Sequence, residues 1–512
     1  MILHKKFIET AKRKKDVIAV YDEATKKEFT YEKMLIAALF LFPKFKKFNS
    51  EYVGIMIPTS LGAMLSTIST LMAGKIPVMI NFSTGAVQNA KYAQEKCSFK
   101  TIITSKKLLE KLQMDPIDGM IFIEDIIKKI TVLDKLKAAI LSKMPVNFIQ
   151  NSVANVKEDD AAVILFTSGS EKDPKAVELS HKNISHNLIN IPLHLKITED
   201  DLFMANLPLF HVFGLTIVFW LPITLGSSVI TYPNPLDFKI ISKLVKKYKA
   251  NVIAGTPSFF YGFIKKSDDG DFSSMRLAVS GADKLPIHIY ESFLEKHGVK
   301  ILEGYGTTET SPVISVNTPT YHKVGSIGKP MPNTKVKIID HETGEELPLN
   351  TEGKIIVKGN MVMNGYLGDL EETSLRVRNG WYDTGDMGLM DEDGYLWHKG
   401  RLKRFVKIGG EMVSLVRVES VLEKYLPDDA VCCVVDVPNP TKGADIVVAI
   451  TTEAINKKKI IRQMAKELPS IALPKDFYIF EELPIMPSGK INFREVTKIC
   501  REMQEVKKKK KK

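Results

Sequence analysis

Short apolar runs separated by helix-like segments recur along the N-terminal part of the chain: VGIMI (Val53 to Ile57), IPVMI (Ile76 to Ile80), TIIT (Thr101 to Thr104), AVILF (Ala162 to Phe166), NVIA (Asn251 to Ala254) and RLAVS (Arg276 to Ser280). This alternation predicts parallel sheets of an α/β fold. From about Ser326 to His398 the texture changes to short alternating strands broken by Asn, Gly, Pro and Asp, as in KVKIID, GKIIVKG and GYLWHKG, and predicts a small β-rich subdomain. Beyond Lys403 a compact α/β pattern resumes. The boundary carries charge and paired glycine rather than a Pro/Ser linker and reads as a tight hinge. The expected organisation is α/β: residues 1–402 form a large domain of two α/β subdomains plus the β-rich one, and residues 403–512 form a small mobile α+β domain hinged at Lys403.

One segment imitates a membrane span. Leu202 to Leu236 holds about 35 residues without Asp, Glu, Lys or Arg, longer than a span requires. Asn206, Pro208, His211, Pro222, Gly226, Pro233 and Pro235 interrupt it, and groups of that kind need protein partners rather than lipid. A buried strand-helix-strand lining an apolar pocket is expected instead.

At 512 residues the chain is too long for one core, and 44% hydrophobic with 26% charged residues is an ordinary globular composition. Cys97, Cys432, Cys433 and Cys500 show neither zinc spacing nor a disulfide framework, which fits a reducing cytoplasm. The N-terminus, MILHKKFIETAKRKKD, is charged too early for a signal-peptide core. A net charge of +12 implies acidic partners without choosing among nucleic acid, nucleotide, anionic lipid or acidic protein. The lysine run Lys507 to Lys512 suits either peripheral contact with an anionic membrane at its inner face or a solvated tail.

Four strings carry chemistry. In LFTSGSEKDPKAVELSHKN (Leu165 to Asn183) an apolar strand runs into Thr167, Ser168, Gly169, Ser170 and then Lys175; hydroxyls, exposed backbone N–H groups and one lysine make a phosphate cradle, with an ordinary turn as the alternative. It is not the Walker pattern, which needs Gly-Lys-Ser/Thr opening a helix. In ILEGYGTTETSPVISVNTP (Ile301 to Pro319) a strand delivers Gly304, Tyr305, Gly306, Thr307 and Glu309: a flat aromatic for a base, glycines for close approach, a hydroxyl for phosphate and a hard carboxylate for Mg²⁺. In YDTGDMGLMDEDGYLWHKGRLKRFVKIGGEMVSL (Tyr382 to Leu415), Asp386 can hold two ribose hydroxyls and Arg401 can reach the same sugar or its phosphate. In PIMPSGKINFRE (Pro484 to Glu495), Lys490 follows a Pro-Ser-Gly turn; alone it is one exposed lysine among many, and only its order after the other strings singles it out.

Together, in this order, the strings resemble the ANL superfamily of adenylate-forming enzymes, from about Phe29 to Val496. The wording is most similar to bacterial acyl-[acyl-carrier-protein] synthetases and to the synthetase half of the related bifunctional 2-acylglycerophosphoethanolamine acyltransferase, without the acyltransferase half. The usual phosphate loop of the superfamily is TSGSTG, one residue, then PKG; here Lys172 and Ala176 replace glycines, so any positive φ there would be strained. The resemblance implies ATP and Mg²⁺ as cofactors, with Thr167, Ser168, Gly169, Ser170 and Lys175 on phosphate, Tyr305 against adenine, and Ser280, Gly281 and Ala282 on its other face. It further implies Thr307 on phosphate, Asp386 and Arg401 on ribose, Lys407 among the nucleotide-binding groups, and Glu309 with Thr167 at the metal. Lys490 would serve adenylation. His211 in PLFHVFG (Pro208 to Gly214) would line the carboxylate end of an acyl pocket, although a lone histidine in an apolar run is more often a core group. Trp220 is expected to pack rather than gate.

The implied activity is activation of a fatty acid to acyl-AMP and transfer to the phosphopantetheine thiol of holo acyl carrier protein, with basic residues near Lys403, Arg404 and Lys407 facing that acidic partner and no nucleic-acid partner expected. An acyl-CoA synthetase, and a scaffold that kept the fold and lost catalysis, remain the alternatives.

Overall fold

A computed structural model describes residues 1–167, 174–409, 411–427, 430–484 and 491–509. Two large mixed sheets build the N-terminal domain. One runs, in spatial order, Gly365–Tyr366, Ala176–Ser180, Ala161–Phe166, Ile76–Met79, Tyr52–Met56, Ile102–Thr104 and Met120–Phe122. The other runs Lys329–Pro330, Val313–Val316, Ile301–Gly306, Leu277–Ser280, Val252–Gly255, Leu202–Ala205, Ser228–Thr231, Ile18–Asp22 and Lys27–Thr30. Each expected apolar run falls on a strand of these sheets. Neighbouring central strands pair in parallel, and antiparallel pairing is confined towards the edges. Strands buried on both faces must be apolar throughout, which is why these runs read as continuous rather than alternating. Across the first sheet, Leu3 N donates to His181 Nδ1 (3.2 Å), tying the N-terminal helix Leu3–Arg13 to the helix that follows Ala176–Ser180.

The region expected as a separate β-rich subdomain forms a five-stranded sheet of Lys335–Ile339, Gly353–Lys358, Trp381–Met390, Val377–Arg378 and Leu396–Arg401. It is less autonomous than its texture suggests. Lys329–Pro330 joins the nine-stranded sheet and Gly365–Tyr366 the seven-stranded one. Two-residue strands have no measurable periodicity, so this stitching could not be read locally.

The uncharged stretch is strand Leu202–Ala205, a π-helical turn Gly214–Trp220, helix Leu221–Leu225 and strand Ser228–Thr231. Among the described residues no helix is long and apolar enough to cross a membrane. Trp220 is fully buried and stacks on Phe219 with ring centroids 4.4 Å apart, a packing role.

From Phe405 onward a hairpin, Phe405–Ile408 with Glu411–Ser414, and a three-stranded sheet, Cys432–Asn439, Gly443–Ile450 and Asp476–Ile479, form a small domain with core clusters of its own. It touches the large domain where Ser414 Oγ donates to the Lys399 carbonyl (3.2 Å) and Lys284 Nζ to Ser420 Oγ (3.5 Å). The last helix, Phe493–Lys509, carries Lys507 against Asp476, so the start of the lysine run is helical and paired.

Candidate active site

Three chain segments meet at the ends of the two large sheets. The first is the hairpin Trp381–Met390 with Leu396–Arg401. Its turn is locked by Asp391, whose Oδ1 accepts from the amides of Asp393 (3.1 Å) and Tyr395 (2.9 Å) and whose Oδ2 accepts from Trp397 Nε1 (2.8 Å) and Lys323 Nζ (2.7 Å). With that register fixed, Asp386 lies directly opposite Arg401. Asp386 is buried; its Oδ2 accepts from Tyr305 Oη at 2.5 Å, and its Oδ1 lies 3.6 Å from His398 Nε2 and 3.5 Å from Arg401 Nε. Burial alone would push its pKa up, but His398, Arg401 and Tyr305 more than offset that and hold the carboxyl below its ordinary range.

The second segment is strand Ile301–Gly306, which presents Tyr305. Its ring faces His398 with centroids 5.6 Å apart. Burial and the neighbouring Asp386 carboxylate raise the phenol's pKa well above its usual value, so it stays a donor. Gly306 is a steric necessity, since a Cβ there would stand 1.9 Å from the Pro312 carbonyl oxygen; one on Gly304 would press on the Val316 side chain at 3.1 Å. Beside them Gly281 lies against Phe213, where a Cβ would meet the ring at 3.3 Å, so the segment expected to line the acyl pocket adjoins the one expected to face adenine. Ser280 Oγ is buried with no hydrogen-bond partner among the described residues. Ala282 takes φ +73°, a left-handed backbone that costs an L-residue on the order of 1–2 kcal/mol and is typical of functional loops. His211 is exposed at the turn before the π-helical segment, its ring 4.7 Å from that of Phe210, and is not a core group.

The third segment pairs the phosphate-cradle strands with Glu309. Thr167 N donates to the Lys175 carbonyl (3.0 Å) and Lys175 N to Thr167 Oγ1 (3.2 Å), joining the two strand ends. Ser168, Gly169 and Ser170 lie outside the described residues, as do Lys172 and Lys490. Ala176 opens strand Ala176–Ser180 opposite Phe166 and takes no positive φ, so its methyl in place of a glycine carries no strain. Glu309, in the short 3₁₀ turn Thr308–Thr310, is buried and accepts from Tyr366 Oη at 2.8 Å. The Lys175 ammonium sits 4.9 Å from the centre of the Tyr366 ring and pairs with Glu372, which also accepts from Arg376 Nε at 3.1 Å. Thr307 is held by Thr310, whose Oγ1 accepts from its amide (3.0 Å).

The structure thus brings together Thr167, Lys175, Ser280, Gly281, Gly304, Tyr305, Thr307, Glu309, Asp386 and Arg401. Lys407 pairs with Glu342 (3.5 Å), on another hairpin, and among the described residues with none of these groups. Sequence reasoning missed Tyr366, Glu372, Arg376, His398 and Glu303. Tyr366 stands in the short string Asn364-Gly365-Tyr366-Leu367, with no chemistry of its own to mark it.

Glu303, the residue before Gly304, is buried and accepts from Leu285 N at 2.9 Å. Burial pushes its pKa up to about 7, against the Leu285 amide and the charges of Lys284 and His398. A carboxyl raised in the folded state contributes its full stability below its unfolded value and loses it as pH rises through the folded one. Glu303→Gln, which keeps an acceptor for Leu285, is therefore expected to raise stability by on the order of 2 kcal/mol at pH 8 and by nothing measurable at pH 4. Urea midpoints of both proteins at the two pH values test this; an equal gain at both would remove the titration of Glu303 as its cause.

A family model described as AMP-binding enzyme matches residues 7–367, and one described as AMP-binding enzyme C-terminal domain matches residues 417–490. The chain is 33% identical over 349 residues to a long-chain-fatty-acid–CoA ligase of Bacillus subtilis, an alignment covering 65% of this chain and 61% of that protein. To a long-chain-fatty-acid–CoA ligase of Escherichia coli it is 28% identical over 484 residues, covering 88% of this chain and 85% of the other. In fold it is similar to o-succinylbenzoate coenzyme A synthetase from Bacillus subtilis, solved in complex with ATP and magnesium ion, with a TM-score of 0.81 at 20% identity over 96% of this chain and 98% of that one.

Proposed function

The chain belongs to the AMP-binding enzyme family, and from that premise we propose that it is an ATP-dependent ligase that joins a fatty acid to a phosphopantetheine thiol through an acyl adenylate. The observation that carries this reading is the pairing of two buried carboxylates with complementary surroundings: Asp386 beside Tyr305 and Arg401, and Glu309 bonded to Tyr366, whose ring Lys175 covers.

The residues fit a magnesium nucleotide. The Tyr305 ring offers a flat face for a base, and on the neighbouring strand the buried Ser280 hydroxyl, unpartnered among the described residues, is an unused polar group. Asp386 keeps lone pairs on Oδ1, which has only contacts of 3.5 Å and longer, for two ribose hydroxyls. Glu309, with Thr167 nearby in the same segment, would hold magnesium, which would neutralise charge on the phosphates. Lys175 would exchange Glu372 for phosphate when the nucleotide arrives. Glu372 would not then be stranded, because Arg376 still donates to it.

In the first half-reaction the fatty carboxylate, guided past His211 and Phe213, attacks the α-phosphorus and pyrophosphate leaves; Lys490 would neutralise charge developing between them. In the second, the thiol attacks the acyl carbonyl and AMP leaves. We assign residues 1–402 to the first step's site and residues 403–512 to a mobile domain that turns at Lys403 between steps. The acceptor is read as holo acyl carrier protein, which the wording of ILEGYGTTETSPVISVN supports; Arg404, expected to face that partner, instead pairs with Glu419 at 2.9 Å and stacks on Phe493. Coenzyme A is the second reading, favoured by the curated relatives, which are CoA ligases. Purified protein with ATP, Mg²⁺ and a labelled long-chain fatty acid, offered holo acyl carrier protein and CoA in parallel, decides between them. Acyl carrier protein product supports the first reading and acyl-CoA the second. Absence of pyrophosphate release would sink both in favour of a scaffold.

A further inference from the structure

We propose that the solvent face of helix Val132–Lys143, with the residues just before and after it, is a docking surface for an anionic phospholipid bilayer. The helix packs on helix Tyr31–Phe45 through a narrow inner face of Ala138, Leu141 and Ser142. Its outer face should then be polar, since an amphipathic surface helix turns charge to water. It is apolar instead: Val132 is 83% exposed, Leu133 59%, Leu136 54% and Ile140 53%. Val132, Leu136 and Ile140 follow at four-residue spacing and lie in one row along the helix. Met144 and Phe148, past the end of the helix, are exposed as well, but the chain turns extended at Met144 and the row itself ends with Ile140. A contiguous apolar row of this kind on a water-facing surface marks an interaction site rather than scatter.

The charges around the row say what covers it. Lys128, Lys129, Lys135, Lys137 and Lys143 flank it, all exposed. Only Lys143 makes an ion pair among the described residues, with Glu32 at 2.5 Å. Asp134, the single acid between Lys128 and Phe148, turns away from this face: its Oδ2 accepts from the amide and hydroxyl of Thr131 and from Lys44 Nζ, each at 3.0 Å. Apolar side chains rimmed by lysines match a bilayer with anionic headgroups, apolar groups entering the acyl boundary and ammonium groups staying at the phosphates. A second copy fits worse, because a twofold contact would set one lysine rim against the other. At about 1.5 Å per residue a helix of 12 residues lies on a membrane and does not cross it.

Flotation of the full chain with phosphatidylcholine vesicles containing about a quarter phosphatidylglycerol tests the assignment, with pure phosphatidylcholine vesicles as reference. Binding to the anionic vesicles is expected, weakened roughly tenfold or more on the neutral ones, in Leu136→Asp/Ile140→Asp, and in the Gln replacement of Lys128, Lys129, Lys135 and Lys137 together. All substituted side chains are exposed, so circular dichroism and the thermal midpoint should match wild type, and pyrophosphate release on a short soluble acid should be unchanged. Vesicle binding that survives Leu136→Asp/Ile140→Asp would overturn the proposal. So would loss of binding on neutralising only Lys507 to Lys512, or a wild-type protein indifferent to anionic vesicles. A dimer seen by sedimentation and dissolved by Leu136→Asp/Ile140→Asp would give the face to a second copy and overturn it equally.

Discussion

Glu309→Gln is expected to cut fatty-acid-dependent pyrophosphate release by about two to three orders of magnitude while leaving the fold intact. The carboxylate is buried and one of its oxygens accepts from Tyr366 Oη at 2.8 Å. Burial, with Glu309 itself as the next cause, pushes the Tyr366 phenol far up, so it remains a donor at every working pH. A glutamine oxygen can take the same hydrogen bond. What the substitution removes is a full negative charge at the place where magnesium would be held, so the loss should appear in rate and in the Mg²⁺ concentration needed for half-maximal activity. The thermal midpoint should move little, since neither shape nor the Tyr366 bond changes. Tyr366→Phe is the complement: the charge stays but loses its buried donor, and a loss of about ten- to a hundredfold is expected, in line with the roughly 1.5–3 kcal/mol of a hydrogen bond to a charged group. A Glu309→Gln enzyme within a few-fold of wild type would remove Glu309 from the metal site.

The two halves of that pair differ in how visible they are along the chain. Glu309 sits in a string of distinctive residue types after a strand, so it was legible. Tyr366 reaches it only because Gly365–Tyr366 adds antiparallel to Ala176–Ser180, a contact across nearly two hundred positions made by two residues. Nothing in the local pattern of Gly365 and Tyr366 records that pairing. Glu372 and Arg376 are hidden for the same reason. On a helix one turn apart they read as an ordinary surface pair, and only the fold sets Lys175 against them. The long strands were the opposite case: runs such as Ala161–Phe166 are apolar because both faces are covered, and periodicity reported that burial directly. Ala176 shows the limit of motif comparison from the other side. Set against the superfamily's glycine it suggested strain, yet in this chain the position is already ordinary strand, and an extended backbone accepts any side chain.

Asp386→Ala is expected to lower kcat/KM for ATP by about two to three orders of magnitude and to destabilise the protein as well. Two charge-assisted hydrogen bonds to ribose, the role proposed for Asp386, would account for the first effect at roughly 1.5–3 kcal/mol each. The second follows from what surrounds the carboxylate. Tyr305 Oη would lose its acceptor inside the protein, at a cost of about 1–3 kcal/mol, and His398 and the exposed Arg401 would lose their counter-charge. Asp386→Asn separates the two, since its amide oxygen still accepts from Tyr305 while the charge is gone. The pH dependence carries a definite sign. Because the folded protein holds Asp386 below its ordinary value of 3.8, its charge contributes stability that is complete above that value and lost as pH falls through the lower folded one. Wild type should therefore exceed Asp386→Asn in urea midpoint at pH 7, and the gap should close in strong acid. If ATP bound Asp386→Ala as tightly as wild type while stability fell, the carboxylate would be a structural anchor for Tyr305 and the sugar would have to be held elsewhere; if affinity and stability fell together while Asp386→Asn lost affinity and only the acid-sensitive part of the stability, the same oxygen pair would be serving both.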